Sequence, residues 1–380
     1  MSRPPPLPID LVKDTAFSEY SGSATALTGG LVNHVWRLAS ARSPARTVVV
    51  KYAAPELASA PGVAFSVERM RFEARALALF GGAPPAAPAE FAALARLGEQ
   101  LPRTDGVRLP RLLHYEPREP FVVLEDLGAL PSLHAWAREP GAPSLCPVAA
   151  QVGRWLARLH GFGRTHLAEL RAHFTNTPAR ALLADDLGAQ LCGRLAQHAS
   201  VSSRPELVAR VREFAGRSER APQTLVFGDL WSGAVLCDPA SPQIALLDLE
   251  FADIASIHAD VAHFAAHLLL IHFVCATADN PNVDPCPRSV AAFLDAYRAT
   301  MRAEFPRAFA ELVCAQTIAL CTVFLGIDVA RDVLSGFWCR CATKPEDGEP
   351  LTCACADVLL ELAAAYICEC PDSLFNRLLN

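Results

Sequence analysis

Residues 224–264, TLVFGDLWSGAVLCDPASPQIALLDLEFADIASIHADVAHF, constrain the fold more than any other part of the chain. Three short apolar runs lie within them, each tied to an aspartate at a turn. Residues 225–227 lead into Gly228-Asp229, residues 234–237 turn through Asp238-Pro239, and residues 244–247 deliver Asp248-Leu249-Glu250. Short apolar runs bounded by Gly, Asp and Pro read as buried strands and turns. Folded as a hairpin, they would hold Asp229, Asp248 and Glu250 near one another. Gathered carboxylates repel, and burial worsens the repulsion. They are tolerated most easily with something positive among them, and a divalent metal is the usual candidate.

The rest of the chain has the material for a large core. Of 380 residues, 52% are hydrophobic and 19% charged, which excludes global disorder. The length fits one two-lobed unit or two domains. A net charge of -6 leaves no electrostatic footprint for nucleic acid. Residues 1–8 are proline-rich and lack the apolar core of a secretory signal. Residues 261–275 are apolar but carry His263, His267 and His272, so a buried helix is expected there and not a membrane span. A cytoplasmic protein is the expectation. Thirteen cysteines include the pairs Cys339/Cys341, Cys353/Cys355 and Cys368/Cys370. A zinc or thiolate cluster is one reading, but Cys-x-Cys chelates poorly compared with Cys-x-x-Cys. Buried thiols acting as small hydrophobes are the other.

Taken in order, residues 1–19 form a lead-in. Residues 26–38, ALTGGLVNHVWRL, place Gly29 and Gly30 ahead of a strand. Such a pair lets backbone N–H groups approach an anion closely, and also suits an ordinary hairpin turn. Thr47-Val48-Val49-Val50-Lys51 is a buried strand ending in a lysine, which burial obliges to find a partner. A helical pattern over residues 65–80 offers Glu68 and Glu73 among Arg69, Arg71 and Arg75. Residues 112–115 and 121–124 continue the sheet and end at Glu125-Asp126-Leu127-Gly128. From residue 130 the pattern is helical: 148–159, several helices within 176–221, then 258–275, 289–303, 308–330 and 351–367, with a loop over 336–350. His160 is expected as a structural histidine at a helix C-terminus, where the helix dipole favours it.

Together these motifs resemble the aminoglycoside phosphotransferase/choline kinase group of small-molecule kinases, nearest its methylthioribose kinase and 4-hydroxytryptamine kinase branch. The run Asp229-Leu230-Trp231-Ser232-Gly233 is similar to the group's catalytic loop. Asp248-Leu249-Glu250, nineteen residues on, is similar to its metal motif, and Asp260 follows near the start of a helical pattern. The resemblance covers about residues 22–275. It implies an α+β, protein-kinase-like two-lobed fold, with a β-rich lobe over 20–128 and a helical lobe over 129–380. The catalytic loop would span 225–234 and the metal motif 248–250.

What it implies for the site is specific. ATP and Mg²⁺ would be the cofactors and a small-molecule hydroxyl the acceptor, with no nucleic-acid or membrane partner. Lys51 would hold the α/β-phosphates and Glu73 would hold Lys51. Gly29, Gly30 and Asn33 would cover the nucleotide, while the Glu125 carbonyl and Leu127 amide would meet adenine. Asp248 and Glu250 would bind the metal, Asp229 would orient the acceptor and take its proton, and Asp260 would brace the loop. Trp231 would stack on a flat acceptor or pack the loop into the core. Three departures stand out: Phe227 where many relatives have histidine, a glycine-poor phosphate loop, and Ala234 where most have a metal-binding asparagine. The last keeps open a catalytically impaired nucleotide-binding or scaffold protein. No long activation loop fits between Asp248 and Asp260, which favours a small acceptor.

Overall fold

The structure, a computed structural model, describes residues 6–27, 30–85, 87–139, 144–275, 287–335, 354–369 and 374–379. Its first part is a sheet. Strands β1 (Ser23–Ala26), β2 (His34–Ala39) and β3 (Thr47–Tyr52) run antiparallel in sequence order. After a small hairpin, β4 (Glu56–Leu57) and β5 (Ala60–Ala64), and the two-residue β6 (Val107–Arg108), strands β7 (Leu112–Glu116) and β8 (Phe121–Glu125) complete it. The order β1-β2-β3-β8-β7 puts β3 at the centre. The run of valines explains that place. Alternate side chains on a strand face opposite sides, so Val48 and Val50 enter a cluster with Leu38, Phe121 and Val123 on one face. Val49 and Lys51 turn to the other face, toward helix α2 (Arg69–Gly81).

The lead-in carries helix α1 (Pro8–Val12), which buries Leu11 and Val12 against the Val48/Val50 face. One expectation about this part is corrected. The expected helix at 65 begins four residues later, at Arg69. Phe65 is held out of it because its N–H donates to the Pro55 carbonyl at 2.9 Å and its ring packs on Phe251.

The second part is mostly helical. Helix α3 (Ala89–Gly98) lies beside α2, and α4 (Leu133–Trp136) opens the helical run. Then come α5 (Cys146–Thr165), α6 (Leu167–Arg171), α7 (Thr177–Asp185), α8 (Cys192–Gln197) and α9 (Pro205–Ser218). After the strands described next, the chain continues as α10 (His258–Cys275), α11 (Arg288–Glu304), α12 (Pro306–Leu312), α13 (Ala315–Leu334) and α14 (Ala354–Ala364). The single helix expected over 308–330 is broken between α12 and α13. There Thr317 Oγ1 accepts from the Cys314 N–H at 3.0 Å and donates to the Leu312 carbonyl at 2.6 Å, capping a new start. His160 sits inside α5, which runs on to Thr165, and not at a helix end as expected.

Between α9 and α10 lie β9 (Thr224–Val226), β10 (Val235–Cys237), β11 (Ile244–Leu246) and β12 (Asp253–Ala255). The hairpin expected from the sequence is β10–β11, and β6 adds to it in parallel. Strand β9 does not join it; it pairs with β12, a strand the sequence reading missed. Asp229 therefore leaves one small sheet and Asp248 the other, and the two turns face each other. Among the described residues, no single helix is long and apolar enough to cross a membrane. Of the Cys-x-Cys pairs, Cys339, Cys341, Cys353 and Cys370 lie outside the described residues.

Helices α5 and α11 meet at Gly153, where a Cβ would stand 2.4 Å from the Phe293 carbonyl oxygen. Gly153→Ala is accordingly expected to destabilise the protein by about 1–3 kcal/mol through overpacking, despite alanine's better helix propensity. Urea denaturation of the variant measures this; unchanged or higher stability would show that the helices separate freely.

Candidate active site

The site is built around Lys51. Its ammonium, almost fully buried, donates to Glu73 Oε1 on α2 at 3.0 Å and to Asp248 Oδ1 at 2.8 Å, and also contacts Glu250. Burial works against this charge, but the carboxylates of Asp248, Glu250 and Glu73 outweigh it and hold the lysine pKa well above its ordinary value. Burial pushes the carboxyls of Glu73 and Glu250 upward, opposed by Lys51 and aided by repulsion among the carboxylates. Three acids thus surround one ammonium. Asp248 adopts φ 67°, in the left-handed region that aspartate enters more readily than most residues.

A second buried cation supports the first. Arg69 donates from Nε to Asn33 Oδ1 at 2.8 Å and from its other nitrogens to the carbonyls of Phe65 (2.7 Å) and Ala54 (2.7 Å). Asn33 Nδ2 in turn donates to Glu250 Oε1 at 2.9 Å. Asn33, expected to serve the nucleotide, therefore spends its amide on Glu250 and Arg69. Both oxygens of Glu250 are engaged, one by Asn33 and one by Lys51.

The loop carrying Asp229 is held from behind. Asp260, fully buried, accepts from the N–H groups of Phe227 (2.7 Å) and Gly228 (2.8 Å). His160 stands 2.9 Å from the same carboxylate and 2.8 Å from the Tyr297 hydroxyl. Gly228 has φ 93°, and a Cβ there would lie 2.2 Å from the Phe251 carbonyl oxygen, so only glycine fits this turn. Phe227 is buried against Trp155. Ala234 is also fully buried; its carbonyl accepts from Leu247 at 2.9 Å and its methyl offers no ligand.

Asp229, Asp248, Glu250, Lys51, Gly30 and Asn33 all line one cavity of about 370 Å³, together with Trp231. The indole packs against Gly233, where a Cβ would approach within 2.2 Å of it, so Trp231 both packs its own loop and lines the cavity. Gly29 lies outside the described residues. Glu125 and Leu127 are not among the cavity's lining residues. They flank Asp126, whose carboxylate takes Arg37 at 2.5 and 2.9 Å and the Gly128 N–H at 2.9 Å, shaping the turn after β8.

The sequence reading missed the cavity's far wall. His263 and His267 on α10 and Arg331 and Asp332 on α13 line it, with Asp186 and Arg194. His263 Nε2 lies 3.2 Å from Asp229 Oδ1, and its Nδ1 lies 2.9 Å from buried Asp328. Arg331 reaches Asp328 at 3.0 Å and Asp332 at 3.5 Å. Burial disfavours a charge on His263, but Asp328 and Asp229 outweigh it and hold the pKa up at about 10. Burial and the neighbouring His263 charge push His267, one turn on, well below the ordinary range. The available signal was the spacing: two histidines four apart in an apolar helix, and Asp328, Arg331 and Asp332 on one face of another.

The donor set fits a hard divalent cation. Oxygens of Glu73, Asp248 and Glu250 lie within 4.8 Å of one another, and all-oxygen sites suit Mg²⁺. Half-exposed Asp248 is the one that faces the cavity most openly.

Comparison with known proteins gives a consistent picture. The description of the Phosphotransferase enzyme family matches residues 23–307. A 4-hydroxytryptamine kinase of Psilocybe cyanescens is 25% identical over 273 residues, covering 69% of this chain and 71% of that protein. Among solved structures, a choline kinase from Cryptosporidium parvum superposes with a TM-score of 0.53 at 13% identity, over 94% of this chain and 93% of the other. The GDP and kanamycin complex of APH(2")-IIia superposes with a TM-score of 0.51 at 16% identity, over 94% and 96%. These superpositions establish the two-lobed, protein-kinase-like α+β fold.

The His263–Asp328 pair makes stability depend on pH. A histidine pKa raised on folding contributes fully below its unfolded value of about 6.5 and loses that contribution as pH rises toward its folded value, here about 10. Asp328→Asn breaks a buried ion pair, which costs about 3–5 kcal/mol. The stability gap between wild type and Asp328→Asn is expected to be widest near neutral pH or below and to narrow toward about pH 10. Urea denaturation across that range checks it; a constant gap would mean that His263 carries no charge.

Proposed function

The chain belongs to the Phosphotransferase enzyme family and is a small-molecule kinase, and on that basis we propose that it moves the γ-phosphate of ATP to a hydroxyl. The observation that carries the reading is the convergence of Lys51, Glu73, Asp248 and Glu250 with Asp229 around one cavity. Phosphoryl transfer needs little covalent chemistry from protein; it needs in-line positioning and positive charge at the phosphates. Lys51 holds the α/β-phosphates, and Glu73 keeps Lys51 extended from β3. Gly29, Gly30 and Asn33 form the nucleotide cover, with Asn33 acting through Glu250. The Glu125 carbonyl and Leu127 amide form the adenine edge after β8. Asp248, with Glu250 behind it, holds Mg²⁺, which when bound supplies charge compensation for the phosphates. Asp229 orients the acceptor hydroxyl and accepts its proton; a carboxylate is a weak base, so orientation is the larger part. Asp260 keeps the loop backbone in place.

Among acceptors, a hydroxylated aromatic amine comes first, ahead of a methylthioribose-like sugar or an amino alcohol. Two observations favour it: the Trp231 indole at the cavity wall and the likeness to a 4-hydroxytryptamine kinase. A cytoplasmic location accompanies this reading. One observation favours a second reading, a nucleotide-binding protein with impaired catalysis: Ala234 has no oxygen to give where a metal-binding asparagine is common in the group.

Thermal stabilisation by ATP separates the two when paired with turnover. A nucleotide at about 100 times its dissociation constant adds about 2.7 kcal/mol of stability. Mg²⁺-ATP is expected to stabilise the wild type, and Asp248→Asn to lose the magnesium-dependent part. Asp229→Asn should keep the nucleotide shift and lower phosphate transfer to a hydroxylated aromatic amine by about 10²–10⁴-fold. No shift with the wild type would remove the kinase reading, and a shift without transfer to any hydroxyl would favour the second.

A further inference from the structure

We propose that His263 is a positioning residue for the acceptor step: anchored by Asp328, it grips one oxygen of Asp229 and leaves the other to the acceptor hydroxyl. The inference rests on the reading of Asp229 given above and adds a residue that the motifs of the catalytic loop do not contain.

The geometry carries it. Asp260 and Gly228 fix the backbone of the catalytic loop, but their bonds stop at the N–H groups of Phe227 and Gly228. The Asp229 carboxylate itself is 36% exposed and projects into the cavity, where a free side chain would sample several rotamers. His263 Nε2 meets it at 3.2 Å from within the buried stretch 260–271 of α10. The imidazole cannot swing away, because Nδ1 is held at 2.9 Å by Asp328, and Asp328 is held at 3.0 Å by Arg331. Ring nitrogens of histidine lie on opposite sides, so an anchor at one aims the other. The result is a chain of alternating charge, Arg331–Asp328–His263–Asp229, running from α13 through α10 to the loop.

One consequence follows for the chemistry. With one oxygen paired with His263, Asp229 presents a single oxygen to the acceptor, which narrows the approach of the hydroxyl. Misplacing a reacting group by about 1 Å costs on the order of 10²-fold in rate.

The test is a kinetic comparison of wild type, His263→Ala, His263→Gln and Asp229→Asn, with ATP and a hydroxylated aromatic amine as acceptor. His263→Ala is expected to lower kcat by about 10–100-fold while leaving the KM for ATP and the Mg²⁺-ATP thermal shift unchanged. His263→Gln keeps a donor at similar reach and should recover part of the loss. Because His263 lines the cavity, added imidazole should raise the kcat of His263→Ala and leave the wild type unaffected. Full kcat in His263→Ala beside an inactive Asp229→Asn would overturn the proposal, as would equal losses in both His263 variants with no response to imidazole. An active Asp229→Asn would instead remove the underlying reading of Asp229, and the proposal with it.

Discussion

A single buried ammonium ties the two halves of this molecule together. Lys51 and Glu73 come from the sheet side, Asp248 and Glu250 from the turn after β11. Taking such charges out of water is expensive, and it is repaid only when the geometry is good and the remaining donors and acceptors are met. The molecule meets them with a second buried cation: Arg69 orients Asn33, Asn33 holds Glu250, and Glu250 holds Lys51. The relative placement of sheet and helices follows from this chain of contacts as much as from apolar packing. It also explains why α2 buries an arginine and a glutamate on a helix otherwise lined with Met, Phe, Ala and Leu.

The helical side answers with a network of its own. Asp260 joins α10 to the loop backbone, His160 joins α5 to Asp260, and Tyr297 joins α11 to His160. Three helices thus converge on two peptide N–H groups. The site is positioned by these bonds and by Gly228, whose neighbour Phe251 leaves no space for a side chain. Phe227, where many proteins of this group carry histidine, fits this arrangement because the position contributes packing while the backbone N–H makes the polar contact.

Much of this was legible in the sequence because the signals were local. The valine run before Lys51 marks a central strand, and the apolar runs ending in Asp229 and Asp248 mark turns that face a common space. Gly30, Lys51, Asp229, Asp248 and Glu250 do share one cavity. What was not legible depended on distant pairings. Asn33 and Glu250 are separated by 217 positions, and His263 and Asp328 by 65. Strand β12 was hidden because Asp253 and Ala255 are poor strand formers, and only pairing with β9 makes the segment extended. Helix α1 left only a faint trace in the sequence because five residues carry little periodic signal, although Val48, Val50 and Leu38 of the sheet pack in one cluster with its Leu11 and Val12. The histidines of α10 looked like interruptions of an apolar helix; their meaning lay on α13.

The left-handed backbone at Asp248 sets an order of preference among side chains that differs from what charge alone would give. Asparagine tolerates that region about as well as aspartate, whereas glutamate, though it carries the same charge, does not. Its longer stem would also push the carboxylate past Lys51. At this position the shape of the residue therefore ranks above its charge: the neutral near-isostere leaves the turn intact, and the charged homologue disturbs it. Variation here over time would be channelled through asparagine and glycine first, with the architecture surviving changes that the chemistry does not.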